Sequence, residues 1–277
     1  MRELTIKEVQ EISVNILAYI DDVCRKNDIQ YTIYYGSLIG AERHKGYIPW
    51  DDDLDIVMTR SNYERLTTLL IDQNEYLFLS PSITKDYRYT YSKLVDKTTK
   101  AVSSQYYNSE DENMGVFVDI FPIDGFPDTA EERREFGDKC ELYRSNMMFT
   151  LNNSYAISHS FLKAMGKRIL YYPRYRKLLK KGNANYWRQK YEQLTKKYPV
   201  EESKYCGYME FINEHWGVFP TSWFDEYEDI EFEGYQFMAI KERTKFLELR
   251  YGDYMQLPPE TERVTHHPYQ FYQREDS

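Results

Sequence analysis

The residues from Gly36 to Ile56 carry the densest chemistry in this 277-residue chain. Four carboxylates, Asp51, Asp52, Asp53 and Asp55, fall within five positions. They repel one another, and no local structure rewards that crowding. Such clusters persist where a divalent cation neutralises them, and an all-oxygen donor set suits a hard cation, Mg2+ first and Mn2+ as the alternative. Upstream, Gly36 lets the backbone approach a ligand closely, and the Ser37 hydroxyl with nearby amides can hold phosphate oxygens. Arg43, His44 and Lys45 add positive charge between these two features, unless they form only a solvated turn. Trp50 adjoins the acids and offers an aromatic face to a cation, or else anchors the Pro49 turn. The pattern points to a metal-dependent enzyme that acts on a phosphate.

These side chains must be held by strands. If residues 54–58 form one, Asp53 and Asp55 share a face while Leu54 and Ile56 point into the core. Asp51 joins them if the strand starts early, and Asp52 is expected to point away. A second apolar run, residues 116–121, carries Asp119 and is expected to bring it beside Asp53 and Asp55, with Pro122 and Gly125 ending the strand. The competing reading is a solvated acidic turn before a strand. The Gly-Ser break, the interleaved apolar residues and the second acid-bearing strand argue against it. A calcium loop is excluded: with Asp51 as its first position, the required Gly falls on Ile56 and the bidentate Glu on Asn62.

Further elements follow from caps and periodicity. Thr5-x-x-Glu8 reads as a capping box before an apolar stripe at Val9, Ile12, Ile16, Ile20 and Val23, a helix ending near Asn27. Residues 31–35 read as a strand, and 38–44 as a short helix stopped by Gly46. Ser61-x-x-Glu64 caps a helix through Leu70. Tyr89, Tyr91 and Lys93 alternate with Thr90, Ser92 and Leu94 as a strand of the same sheet. Thr129-x-x-Glu132 opens a long helix to about Leu151, and basic helices follow Ser160. Residues 230–232 and 235–237 flank Glu233-Gly234 as a hairpin, and a helix over 241–250 is stopped by Gly252. The fold class is α+β: one catalytic domain over 1–277, with a core of about 1–128 and 200–277 and a helical basic insertion over about 129–199.

Composition narrows the function. The charged fraction of 29% and hydrophobic fraction of 42% are those of a globular protein. A net charge of −9 excludes a general nucleic-acid binder, which needs a broad basic face. The three cysteines, Cys24, Cys140 and Cys206, lack paired metal spacing and read as reduced, buried thiols of a cytoplasmic protein. Charges near Met1 stand where a signal peptide needs an apolar core. Tyrosine is abundant, at 28 residues, and its flat apolar body with a polar tip suits sugar and cation recognition; Tyr35, Tyr89 and Tyr91 stand behind Trp50 as aromatic candidates. Between Lys163 and Lys197 lie twelve Lys and Arg residues and one acid, Glu192, which gives +11 there against −20 elsewhere. Basic residues mixed with tyrosine and leucine are the composition of a segment lying on anionic lipid; a solvated helix pair is the other reading.

The run from Gly36-Ser37-Leu38-Ile39-Gly40-Ala41 through Arg43-His44-Lys45-Gly46 to Ile48-Pro49-Trp50-Asp51-Asp52-Asp53-Leu54-Asp55-Ile56 resembles the opening motif of the LicD family of phosphocholine transferases. Phe117-Val118-Asp119-Ile120-Phe121-Pro122-Ile123-Asp124-Gly125 resembles the family's second motif. Arg250-Tyr251-Gly252-Asp253-Tyr254, Leu257-Pro258-Pro259 and His266-His267 are similar to its C-terminal part. The resemblance implies a nucleotidyltransferase-like, polymerase beta-type mixed sheet flanked by helices. It implies transfer of phosphocholine, or of another phospho-alcohol such as ribitol or glycerol phosphate, from a CDP-activated donor to a sugar hydroxyl of a cell-surface glycan. Teichoic acid, capsule and lipopolysaccharide precursors are the acceptors in view, and lipid-linked ones would place the enzyme at the inner face of the membrane. On this reading Asp53, Asp55 and Asp119 hold the metal and Asp119 accepts the acceptor's proton. Gly36 and Ser37 hold the diphosphate. The gap from Ser37 to Asp53 is longer than in ordinary nucleotidyltransferases, which remain the alternative.

Overall fold

One strand, buried at all ten positions from Phe117 to Phe126, organises the molecule. In the computed structural model, which describes residues 1–103, 112–152, 154–265 and 269–275, the strands in chain order are β1 (Arg2–Glu3), β2 (Thr32–Ile33), β3 (Asp55–Thr59), β4 (Leu77–Leu79), β5 (Ser92–Val95), β6 (Thr99–Ser103), β7 (Phe117–Phe126), β8 (Tyr205–Gly207), β9 (Phe219–Pro220), β10 (Tyr227–Phe232), β11 (Tyr235–Ile240) and β12 (Tyr269–Gln273). The helices are α1 (Ile6–Lys26), α2 (Tyr35–His44), α3 (Arg60–Ile71), α4 (Ala130–Thr150), α5 (Phe161–Leu179), α6 (Ala184–Thr195) and α7 (Arg243–Tyr251).

The main sheet runs β2-β3-β7-β5-β4. β7 lies parallel to β3 and antiparallel to β5, and its far end pairs with β8, which pairs with β9. β12 joins β1 and β6 in a second sheet, and β10 and β11 form a hairpin about Glu233-Gly234. The class is mixed α+β, as expected. The main core gathers α1, through Val9, Ile16, Leu17 and Ile20, with β3, β7, the hairpin and α7. A smaller cluster, Phe126, Phe136, Cys140, Tyr191, Met209 and Ile212, fastens α4 and α6 to the far end of β7. Helix α5 stands outside both, with Ala164 its one buried residue.

Local rules explain most ends. Thr5 and Glu8 form the reciprocal capping box on α1; the side chains of Thr129 and Ser160 cap α4 and α5. Several expectations are corrected. The strand over 31–35 shrinks to two residues, because Tyr35 takes φ 45° and already begins α2. Gly36 and Ser37 therefore sit in the first turn of a helix, not in a break. That helix is stopped by Lys45 in the left-handed region (φ 57°), not by Gly46. Gly46 is needed for closeness instead, since a Cβ there would lie 2.1 Å from Glu233 Oε1. Ser61 does not cap α3; its hydroxyl donates to Glu201. Tyr89 and Tyr91 precede β5 and are not part of it. β7 runs through Pro122 and Gly125: Pro122 falls where β7 has left β5 and not yet met β8, so a missing N–H on that side costs no ladder bond.

Candidate active site

Register sets the first contact. β3 and β7 pair in parallel with Asp55 opposite Asp119, so both side chains leave the same face of the sheet. On the other side of β7, Lys93 of β5 is the partner of Asp119. Three adjacent strands thus carry Asp55, Asp119 and Lys93 in one row. The Lys93 ammonium donates to Asp119 Oδ1, and both groups are buried. Its Nζ also sits 3.6 Å from the ring centroid of Phe117, 4.8 Å from that of Tyr89 and 5.1 Å from that of Tyr91. A buried ammonium is tolerated because it has both a carboxylate and aromatic faces. Lys93 is a candidate site residue that sequence reasoning missed, and two of the aromatic candidates for a ligand cation already hold this protein cation.

Residues 51–54 lie outside any strand, so two-residue alternation does not govern them. Carboxylate oxygens of Asp51, Asp52 and Asp53 come within 4.8 Å of one another. Asp52 therefore does not point away, which corrects the expectation. Gln10 Nε2 donates to the Asp51 carbonyl at 2.8 Å and pins the turn to α1. Gly36 is required here by packing: a Cβ would stand 2.7 Å from Asp51 Oδ2. The first turn of α2, whose early N–H groups have no partner within the helix, thus faces the acids. The Ser37 hydroxyl accepts the Asp55 N–H at 2.9 Å and ties the helix start to the first residue of β3. Burial pushes the Asp55 carboxyl well above its ordinary range, helped by the charges of Asp53, Asp119 and Asp51; Lys93 opposes them. A site that penalises its own anion in this way, with only carboxylate oxygens as donors, fits a hard divalent cation.

The acids open onto a cleft of about 1030 Å³. Gly36, Trp50, Asp51, Asp53 and Asp55 form one wall, and Arg250, Tyr251 and the segment that follows form the other. Asp119 is not part of this wall; it lies deeper, against Lys93. The three basic candidates separate. Arg43 lines the cleft, but its Nε donates to His44 Nε2 at 2.9 Å and its Nη1 to the carbonyls of Tyr254 and Gln256, at 2.8 and 3.2 Å. Its charge is used to fix the opposite wall. His44, whose pKa is lowered by burial and by Arg43, and the exposed Lys45 are not brought into the cleft. Trp50 lines it with the Arg263 guanidinium 5.6 Å from its ring centroid. His266 and His267 lie outside the described residues.

Arg250, at the end of α7, is the second residue without a role in the sequence reading. Its guanidinium carbon lies 3.5 Å from the Trp216 ring centroid, 4.5 Å from that of Tyr35 and 5.7 Å from that of Phe211. Its Nε and Nη1 are buried, with no hydrogen-bond partner among the described residues. An unmade bond of this kind costs about 1–3 kcal/mol. Tyr251 beside it is pushed up to about 12 by burial, with Arg250 opposing.

Comparison with known proteins places the chain in a family. The family model described as LicD/FKTN/FKRP, nucleotidyltransferase domain, matches residues 28–170 and so takes in α2, the acid cluster, Lys93 and Asp119. The lipopolysaccharide cholinephosphotransferase LicD of Haemophilus influenzae, a phosphotransferase, is 29% identical over 282 residues, covering 98% of this chain and 99% of the relative. An uncharacterized protein of Rickettsia prowazekii is 30% identical over 107 residues, 39% of this chain and 37% of its own length. With more than half of the chain matched, this protein belongs to the LicD family.

Proposed function

We propose that the protein transfers phosphocholine from CDP-choline to a sugar hydroxyl of a cell-surface glycan and releases CMP. The observation that carries the reading is the near full-length likeness to a lipopolysaccharide cholinephosphotransferase, joined to an acid-lined cleft large enough for a nucleotide conjugate. The sheet carrying these acids is taken to be of nucleotidyltransferase type, in keeping with the description of the matching family model. Asp53 and Asp55, with Asp51 and Asp52 beside them, would hold Mg2+ or Mn2+, which when bound offsets charge on the diphosphate and on the departing CMP. The first turn of α2, at Gly36 and Ser37, presents amides to the phosphates. Asp119, held by Lys93, is the carboxylate assigned to accept the proton of the acceptor hydroxyl.

The acceptor is inferred to be a lipid-linked glycan precursor, met at the cytoplasmic face of the membrane. Helix α5 supports this. It bears six basic residues and no acid, and leaves Leu162, Ile169 and Leu170 exposed at 81%, 72% and 69%. No helix among the described residues is long and apolar enough to cross a membrane, so contact would be peripheral. The test is incubation with Mg2+ and a panel of CDP-alcohols. CMP release with CDP-choline preferred supports the reading. Preference for CDP-ribitol or CDP-glycerol moves it to another phospho-alcohol, and pyrophosphate release from CTP moves it to an ordinary nucleotidyltransferase.

A further inference from the structure

We infer that Arg250 is the residue that takes hold of the donor's diphosphate from the wall opposite the acids. The inference rests on the transferase reading and adds a named binding group to it. Two arginines line the inner part of the cleft, and they differ in how their donors are used. Arg43 spends Nε and Nη1 on His44 and on two backbone carbonyls. Arg250 leaves Nε and Nη1 buried and unbonded, although its side chain also bonds the neighbouring Tyr251. Buried donors normally find partners, so two orphans on one cleft-lining side chain mark a place where a ligand atom completes the structure.

The chemistry of that ligand follows from the guanidinium. It is permanently charged and offers donors only, so it repels a quaternary ammonium and takes oxyanions. Trp216, Tyr35 and Phe211 surround its carbon at 3.5, 4.5 and 5.7 Å and hold its plane in a fixed attitude. A positioned guanidinium forms charge-assisted bonds to phosphate that are stronger than neutral ones. Within the proposed donor, the diphosphate is the anionic part, choline being a cation and cytidine neutral. Tyr35 links this group to the rest of the site, because its own backbone turn starts the helix whose N–H groups face Asp51. Trp216 and Phe211 come from the far half of the chain, beyond the segment matched by the family model.

Binding of CMP and of cytidine to the full chain, with Mg2+ present, isolates the phosphate. Arg250→Gln is expected to weaken CMP and CDP-choline at least tenfold and to leave cytidine unchanged. Arg250→Lys, which keeps the charge without the fork, should fall between. Because the guanidinium carries unmade bonds, Arg250→Gln should melt at or above the wild-type temperature. Equal CMP affinity in wild type and Arg250→Gln overturns the inference, as does no CMP binding to wild type. Parallel loss of CMP and cytidine, with a lowered melting temperature, overturns it too, since the residue would then only support the wall. Failure of wild type to release CMP from any CDP-alcohol would count against the transferase reading alone; Arg250 is still judged by CMP against cytidine.

Discussion

The cleft and helix α5 treat their side chains in opposite ways. At the cleft, polar and charged groups are drawn into the interior and nearly every one has an assigned neighbour: Lys93 on Asp119, Ser37 on the Asp55 amide, Arg43 on two carbonyls. On α5 charged and apolar groups alike face outward, and burying a single Leu or Ile in a core would be worth about 1.5–3 kcal/mol that this helix forgoes. The first region, on the proposed reading, fixes a small ligand. The second, on the proposed reading, meets another surface. Basic side chains beside exposed Leu162, Ile169 and Leu170 match an anionic lipid surface in charge and in polarity.

The largest effect should come from the acids. Asp53→Asn and Asp55→Asn are each expected to lower transfer by more than ~100-fold while leaving the fold intact, since loss of one carboxylate relieves repulsion. Melting temperature against pH checks the second half of that statement. Asp55 titrates above its unfolded value, so without metal the wild-type stability should fall as pH rises through and beyond the ordinary carboxylate range. Asp55→Asn should flatten that slope. Near wild-type turnover in either variant would remove the metal-site assignment. Asp124, on the neighbouring strand β7, provides the contrast: it is paired bidentately with Arg60, at 2.8 and 2.7 Å, and buried. Asp124→Asn should cost about 3–5 kcal/mol of stability and act through folding.

A smaller effect, in a different assay, should separate α5 from the cleft. Replacing Arg174, Arg176, Lys177, Lys180 and Lys181 by Gln is expected to release the protein from anionic vesicles, at roughly 1 kcal/mol per charge, with attraction screened beyond about 8–10 Å. Leu162→Ser with Ile169→Ser should weaken the binding that survives high salt. Transfer to a small soluble acceptor should be unchanged in both. Undetectable wild-type vesicle binding at low salt would end the membrane assignment. The smallest effect is expected at Trp50. With Arg263 already near its ring, Trp50→Leu should weaken CDP-choline by about 1 kcal/mol and CMP hardly at all; equal weakening of both would make Trp50 a support for the loop.

What the sequence disclosed depended on range. The apolar runs around Asp55 and Asp119 were legible because buried parallel strands must be apolar throughout, and their pairing follows from the core they share. Capping at Thr5 and Thr129 was legible because it is a contact over three residues, whereas Ser61, with the same spacing, is drawn off by the distant Glu201. Lys93 was not, since the partner that keeps it buried is 26 positions away. Arg250 carried only motif likeness; its orphan donors exist because Trp216 and Phe211 arrive from elsewhere in the chain. Tyr35 misled for another reason: a bulky residue at φ 45° defies local preference, and it is held there with its ring buried among Phe121, Phe211, Trp216 and Phe246. Asp52 was misplaced by extending strand alternation into an irregular turn.

One measurement bears on the central claim most directly: following label from CDP-[methyl-14C]choline into a glycan acceptor, with nucleotide products resolved, for wild type and Asp53→Asn in Mg2+ and after chelation. The account predicts that label enters the glycan in equal amount to CMP released, and that both stop on chelation and in the variant. Label that stays on the nucleotide, or transfer that continues undiminished in Asp53→Asn, would contradict it.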